Sequence, residues 1–194
     1  RGYNEEDIIG GKDPYSASKG MAELVIYSYT QSFFQNNENK IRVASARAGN
    51  VIGGGDWSPN RLIPDCIKSL KTEKRIFIRN PKFNRPWQLV LEPLKGYLVL
   101  AQKQFNEPKK FSGAWNFGTR PNSLTDVQTI VKYLIIFWGR GKMKIKKNKI
   151  YEQENLQLNI KKAENLLKWE PTYNIKESVK MTVSWYFRVL INKE

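Results

Sequence analysis

Asp13-Pro14-Tyr15-Ser16-Ala17-Ser18-Lys19, a segment of helical periodicity, the small-residue run Ile41 to Ala46, and then Arg47-Ala48-Gly49-Asn50-Val51-Ile52-Gly53-Gly54-Gly55: this order decides the fold. Asp13 and Pro14 are suited to the N-cap and first position of a helix. Met21, Leu24, Val25, Tyr29 and Phe33 recur at three and four residues behind them, predicting one apolar helical face, and Asn36, Asn37 and Asn39 end the helix. Ile41 to Ala46 reads as a short buried strand that the glycines at 49 and 53–55 turn out of the sheet. Helix followed by buried strand is one step of a doubly wound α/β sheet.

Outward from that step the alternation continues. A second helix is expected near Pro64, with Ile63, Ile67 and Leu70 on one face, followed by a strand over Arg75–Ile78. Pro93 opens a third helix carrying Leu94, Leu98 and Ala101, Ala114–Phe117 is another strand, and Ser123 or Thr125 caps a helix through Val127, Ile130, Val131, Leu134 and Trp138. Met143 and Ile145 alternate as an edge strand, and helices over Ile160–Leu167 and Ile175–Leu190 flank the break at Trp169-Glu170-Pro171. From Asp56 onward strands are short and helices dominate. The expected organisation is therefore residues 1–55 as the tail of a nucleotide-binding sheet and residues 56–194 as mainly a small substrate subdomain, some of whose segments return to the sheet.

Composition narrows the chemistry. With 194 residues, 40% of them apolar, the chain can bury a core, and no stretch reaches the roughly 18 consecutive apolar residues of a membrane span. Arg1 to Asp13 contains no apolar signal core, so a soluble, cytoplasmic protein is expected. The polar opening from Arg1, which is not a methionine, looks like an internal loop and predicts a fragment. Cys66 is the one cysteine and histidine is absent, which removes a disulfide framework, a His/Cys zinc cluster and every Ser-His or Cys-His dyad. Cys66 sits among apolar positions and reads as a small buried hydrophobe.

The charge of +15 first suggests a phosphate-rich partner. Its distribution argues against nucleic acid: the excess is partly diffuse and partly the run of residues 139–150, whose six basic side chains have no interleaved aromatics. Lysine outnumbers arginine 23 to 10 and asparagine reaches 17, a drift of composition more than a choice of bidentate phosphate forks.

Tyr15 and Lys19 are the candidate catalytic pair. Four residues apart, they share a helix face, and an ammonium beside a phenol favours the phenolate, giving an acid–base group that needs no histidine. Nine tyrosines and 23 lysines predict about one such spacing by chance, and one occurs. Spacing alone therefore leaves catalysis and coincidence both open. Asn50 stands at the end of the strand, where ligands of open α/β sheets bind, or else caps a loop. Arg61 and Arg85 can fork onto a diphosphate or lie solvated on the surface. Gly53–Gly55 fits a phosphate nest or a simple turn. Trp57, Trp87 and Trp115 can stack on a nucleobase or fill a core.

The wider context separates these alternatives. Asp13–Lys19 with its helix and the strand ending in Arg47-Ala48-Gly49-Asn50-Val51-Ile52-Gly53 resembles the active-site helix and following strand of the extended short-chain dehydrogenase/reductases. Arg47–Trp57, Ile78–Pro81, Arg85-Pro86-Trp87-Gln88, Leu91–Tyr97, Ala114–Gly118 and Leu167–Pro171 look like the CDP-glucose 4,6-dehydratase family, so the resemblance covers nearly the whole chain. It implies the C-terminal part of a Rossmann-type sheet with a small mixed α/β substrate subdomain, NAD as cofactor, a nucleotide-sugar substrate and a homo-oligomer at full length. Tyr15 and Lys19 would then serve both catalysis and NAD binding, with Asn50, Arg61 and Arg85 on the substrate, Arg85 favoured for its diphosphate. No G-x-G-x-x-G or G-x-x-G-x-x-G fingerprint occurs in these 194 residues. The resemblance places that fingerprint, the hydroxyl partner of Tyr15 and the groups acting at C5 and C6 of the sugar ahead of Arg1. Asn159 also departs from the pattern, standing where the closing segment of the family carries an acidic residue. The competing readings are another nucleotide-sugar epimerase or dehydratase, and a non-catalytic basic binding protein.

Overall fold

The computed structural model describes residues 2–11, 13–34, 41–120, 123–145 and 157–191. The asparagines expected to end the first helix, and the lysines at 146, 147 and 149, lie outside them. Among these residues five α-helices alternate with eight short strands. In order these are α1 (Pro14–Tyr29), β1 (Ala44–Ala48), β2 (Val51–Ile52), α2 (Leu62–Lys71), β3 (Ile76–Ile78), β4 (Asn84–Arg85), β5 (Gln88–Leu89), α3 (Leu91–Asn106), β6 (Gly113–Phe117), β7 (Thr125–Asp126), α4 (Val127–Trp138), β8 (Met143–Ile145) and α5 (Ile175–Ile191). π-helical turns extend α1 over Thr30–Phe34 and form Ala163–Leu167.

The longest strands, β1 and β6, pair in parallel with Ala44 opposite Gly113 and Ala48 opposite Phe117. β6 buries Trp115 and Phe117 completely. Gly96 of α3 has no Cβ to keep it from the Phe117 ring, which lies within the space a Cβ would occupy. A glycine inside a helix costs about 1 kcal/mol, and here that cost is offset by close helix–strand packing. Tyr97 and Trp169 meet Phe117 edge-on, with ring centroids at 5.4 and 5.0 Å. Leu100, Phe111, Ile160, Ala163 and Leu167 complete this core. Trp115 stacks on Phe111 and donates its Nε1–H to the Phe111 carbonyl at 3.1 Å, so of its two readings core packing holds.

A second core joins α2, α4 and α5 through Ile63, Cys66, Ile67, Leu70, Ile130, Val131, Leu134, Val179, Val183 and Tyr186, with Ile76 and Ile78 of β3. Cys66 is the buried hydrophobe expected, and burial pushes its thiol up to about 12. The anticipated edge strand is β8, which pairs in parallel with β3. The two-residue strands β2 and β5 pair in parallel, while β4 and β7 are antiparallel with Arg85 opposite Thr125.

Two local expectations are corrected. Asp126 caps α4, its carboxylate accepting the Thr129 N–H at 2.6 Å, whereas Thr125 belongs to β7. Asp combines a good cap geometry with a negative charge at the positive end of the helix dipole. The apolar face of α1 is also not buried: Met21, Leu24, Val25, Tyr29 and Phe33 are each more than half exposed, and Gly20 is the only buried residue of that helix.

Candidate active site

Asp13 fixes the start of α1 as the sequence predicts. Its carboxylate accepts the Ser16 N–H at 3.0 Å and the Ser16 hydroxyl at 2.6 Å, and Pro14 follows at the first helical position. These bonds hold the Asp13 carboxyl below its usual value. One residue into the helix, Tyr15 is 70% exposed, and Lys19 Nζ lies 5.6 Å from the centroid of its ring. The phenol and the ammonium thus share one exposed face, as their spacing requires.

Glu23 continues that face, one turn beyond Lys19 and two beyond Tyr15. Its carboxylate grips β1: Arg47 Nε and Nη2 each donate to it at 2.8 Å, and the Ser45 hydroxyl donates at 3.0 Å. The Arg47 fork holds the Glu23 carboxyl below its usual value against the opposing effect of burial, and Glu23 in turn raises Arg47. The expected site residues did not include this pair. Its sequence signals are partial: Glu23 follows Lys19 by four and Arg47 is a charge in an alanine-rich strand, but neither position names the other as its partner.

Asn50 sits just beyond β1, half-buried, with its carbonyl accepting the Gln88 N–H at 3.0 Å. This bond brings Asn50 beside the β4–β5 segment, three residues past Arg85. Arg85 is half-buried, bonds the Asn84 carbonyl at 3.2 Å and lies 5.7 Å from the Phe83 ring centroid. Gln88 is 3% exposed and donates Nε2–H to the Phe117 carbonyl at 3.0 Å, joining the ends of β5 and β6. Arg61 precedes α2, two-thirds exposed, 3.9 Å from the Asp56 carboxylate.

The glycine turn also has a packing role. Gly54 lies against the Trp185 indole and Gly53 against Val90, while Gly55 takes φ +85°. Trp57 remains half exposed, edge-on to Tyr186 at 5.1 Å. Near the C-terminus, Glu92 is 2% exposed and accepts the N–H groups of Thr172 and Tyr173 at 2.8 and 2.7 Å, tying the Trp169–Pro171 break to α3. Asn159 accepts the Lys161 N–H at 2.9 Å through Oδ1, the capping bond an aspartate would make.

The chain is 43% identical over 190 residues, 95% of its length, to the CDP-glucose 4,6-dehydratase of Salmonella typhimurium. Its fold matches the dTDP-glucose 4,6-dehydratase of Bacillus anthracis in complex with NAD (TM-score 0.79, 21% identity, 97% of this chain). It matches equally the UDP-glucose 4-epimerase of Thermotoga maritima with UDP-glucose (TM-score 0.79, 19% identity, 97% of this chain). These likenesses make the architecture a Rossmann-type mixed α/β fold. The chain covers 53% of the Salmonella protein and 56% and 58% of the two solved chains, about half the length of each. The family model described as GDP-mannose 4,6 dehydratase matches residues 1–182, with the Tyr15–Lys19 helix near its start, and the chain belongs to that family.

Proposed function

We propose that this chain is the substrate-side half of an NAD-dependent dehydratase that converts CDP-glucose to CDP-4-keto-6-deoxyglucose. The observation that carries the reading is the exposed Tyr15–Lys19 pair on a capped helix, beside a strand tied to the Arg85 segment through Asn50. The 43% identity to the Salmonella CDP-glucose enzyme supports the choice of nucleotide. A phenol and an ammonium presented together suit the ribose of a nicotinamide cofactor and a sugar hydroxyl, so the residues present fit NAD. When bound, NAD supplies two-electron oxidation at C4 and the matching reduction at C6, which leaves the overall reaction redox-neutral.

The chain's own groups handle the protons and the charge. Tyr15 as phenolate takes the proton of the C4 hydroxyl, and Lys19 stabilises that phenolate and holds the ribose. Oxidation at C4 acidifies the C5 proton, and water leaves across C5 and C6. Arg85 and Asn50 face the substrate diphosphate and sugar, with Arg61 a further phosphate contact. Residues 1–55 belong to the cofactor domain in this reading and residues 56–194 mainly to the substrate subdomain. Self-association is part of it, supported by the exposed stripe Met21, Leu24, Val25, Tyr29 and Phe33, as is a cytoplasmic setting; no described helix is long and apolar enough to cross a membrane.

The test joins this chain to the part of the Salmonella relative that it does not match and supplies CDP-glucose and NAD. Formation of the 4-keto-6-deoxy sugar, reduced by at least about 100-fold in Tyr15→Phe with CDP-glucose binding kept, supports the assignment. A C4 epimer as product, or undiminished turnover in Tyr15→Phe, overturns it.

A further inference from the structure

We infer that Glu23, forked by Arg47 and bonded by Ser45, is the positioning residue that sets the azimuth of α1 and so aims Tyr15 and Lys19. The inference rests on the catalytic reading of Tyr15 for its functional meaning, though its geometry stands apart from that reading.

Among the described residues α1 has few other ties to the sheet, one of them the Arg42 guanidinium donating to the Phe34 carbonyl at 2.8 Å at the far end of its π-helical extension. A helix is normally held to its sheet by a buried apolar stripe, yet Gly20 is the one buried residue of α1 and its large apolar side chains are exposed. Gly20 touches Ile9 and the Gly10 backbone, a contact that sets how closely the preceding segment approaches but presents no side chain to resist rotation. Glu23 supplies the missing restraint. Its two oxygens meet three donors from two side chains on the same face of β1, at 2.8, 2.8 and 3.0 Å. Both side chains of the fork are about four-fifths buried, at 22% and 19% exposure, so water competes weakly with it.

A planar guanidinium gripping a carboxylate through two nitrogens fixes direction as well as distance. Positions 15, 19 and 23 are spaced at four residues, each about 40° further around the helix. Fixing Glu23 on β1 therefore fixes which way the Lys19 ammonium and the Tyr15 phenol point. β1 is itself held by its parallel pairing to β6, which carries fully buried Trp115 and Phe117, so the restraint is anchored on the rigid part of the molecule.

The 194-residue chain, labelled with 3-fluorotyrosine, provides the test. The Tyr15 fluorine signal is assigned by its loss in Tyr15→Phe, and amide exchange is read over residues 14–29 and separately over β1 and β6. Glu23→Gln is expected to shift the Tyr15 signal and speed exchange in α1 at least tenfold while β1 and β6 stay within about twofold. Arg47→Lys, which keeps the charge but not the fork, gives an intermediate shift. The double exchange of Glu23→Arg with Arg47→Glu restores both readouts toward the parent values. An unmoved Tyr15 signal in Glu23→Gln, or loosening spread equally through β1 and β6, overturns the inference. These readouts need no turnover, so failure of the tether is distinguishable from failure of the catalytic assignment, which is judged by the activity of Tyr15→Phe.

Discussion

The indole of Trp185 lies so close to Gly54 that a Cβ at that position would fall among its ring atoms Cγ, Cδ2 and Cε3. A turn that could have been shaped for phosphate is thus also shaped for a tryptophan from α5, and it joins the end of β2 to the second core. Tyr186 strengthens the same junction by donating its hydroxyl hydrogen to the Asp56 carbonyl.

Gly54→Ala should therefore destabilise the chain by about 1–3 kcal/mol, as overpacking does where a side chain must leave a fitted position. Gly113→Ala makes the comparison: nothing lies within 4 Å of its Cβ, and only the φ of +86° opposes the substitution, for about 1–2 kcal/mol. Denaturation midpoints followed by tryptophan fluorescence check both. A Gly54→Ala loss no larger than that of Gly113→Ala would show that Trp185 yields freely.

The Glu23–Arg47 fork gives stability a pH dependence with a definite sign. Because the Glu23 carboxyl is held below its usual value of 4.5, its contribution is fully present above that value and is lost as pH falls through the lower folded value. Asp13 and Asp56 are lowered too and act in the same direction. Thermal unfolding from pH 6 to pH 3 should fall less steeply in Glu23→Gln than in the parent, the two curves converging at the acid end. For a partly exposed fork the gap at neutral pH should be on the order of 1 kcal/mol. Parallel curves would mean that Glu23 titrates alike in folded and unfolded chains.

What could be read from the sequence was local. Asp13, Pro14, Tyr15 and Lys19 lie within seven residues, where cap chemistry and the 3.6-residue period fix geometry before any tertiary contact forms. The strands at 76–78, 113–117 and 143–145 were legible from apolar alternation and bounding turns. Their partners were not, since β3 finds β8 across more than sixty residues and nothing in three residues encodes that choice. Glu23 and Arg47 escaped for the same reason: each has an ordinary place in its own element, and only the docking of α1 on β1 joins them. The tryptophans were ambiguous because core and nucleobase ask for the same flat apolar side chain. Trp115 went to the core and Trp57 stayed half exposed. The apolar stripe of α1 obeyed its period but found no cover among the described residues, which marks periodicity as a statement about the helix and not about its partner.

Asn159 turns a departure from the family pattern into a measurable equivalence. Its Oδ1 accepts the N–H of Lys161, the first residue of the helical turn that follows, while its backbone N–H donates to the Tyr3 carbonyl at 2.7 Å. Asn and Asp are nearly equal as caps. Asn159→Asp should accordingly leave stability within about 0.5 kcal/mol, and Asn159→Ala should cost about 1 kcal/mol. Negligible losses in both variants would place the contribution in the backbone bond to Tyr3, which neither substitution removes.

Arg85 separates a sugar-nucleotide site from a general affinity for polyanions. It stands on β4, held opposite Thr125 and half-buried, with its guanidinium over Phe83, so its head is confined in a way a surface lysine is not. In a chimera that adds the part of the Salmonella relative this chain does not match, Arg85→Ala should raise KM for CDP-glucose strongly, since truncating one partner of a charge-assisted pair in a cleft costs about 2–5 kcal/mol. Neutralising Lys142 and Lys144 of the basic run should leave KM unchanged. Affinity for duplex DNA at two salt concentrations supplies the contrast. If that affinity is appreciable, collapses with the lysines and shows a flattened salt dependence, while KM for CDP-glucose is untouched in Arg85→Ala, the diphosphate contact must be moved away from Arg85.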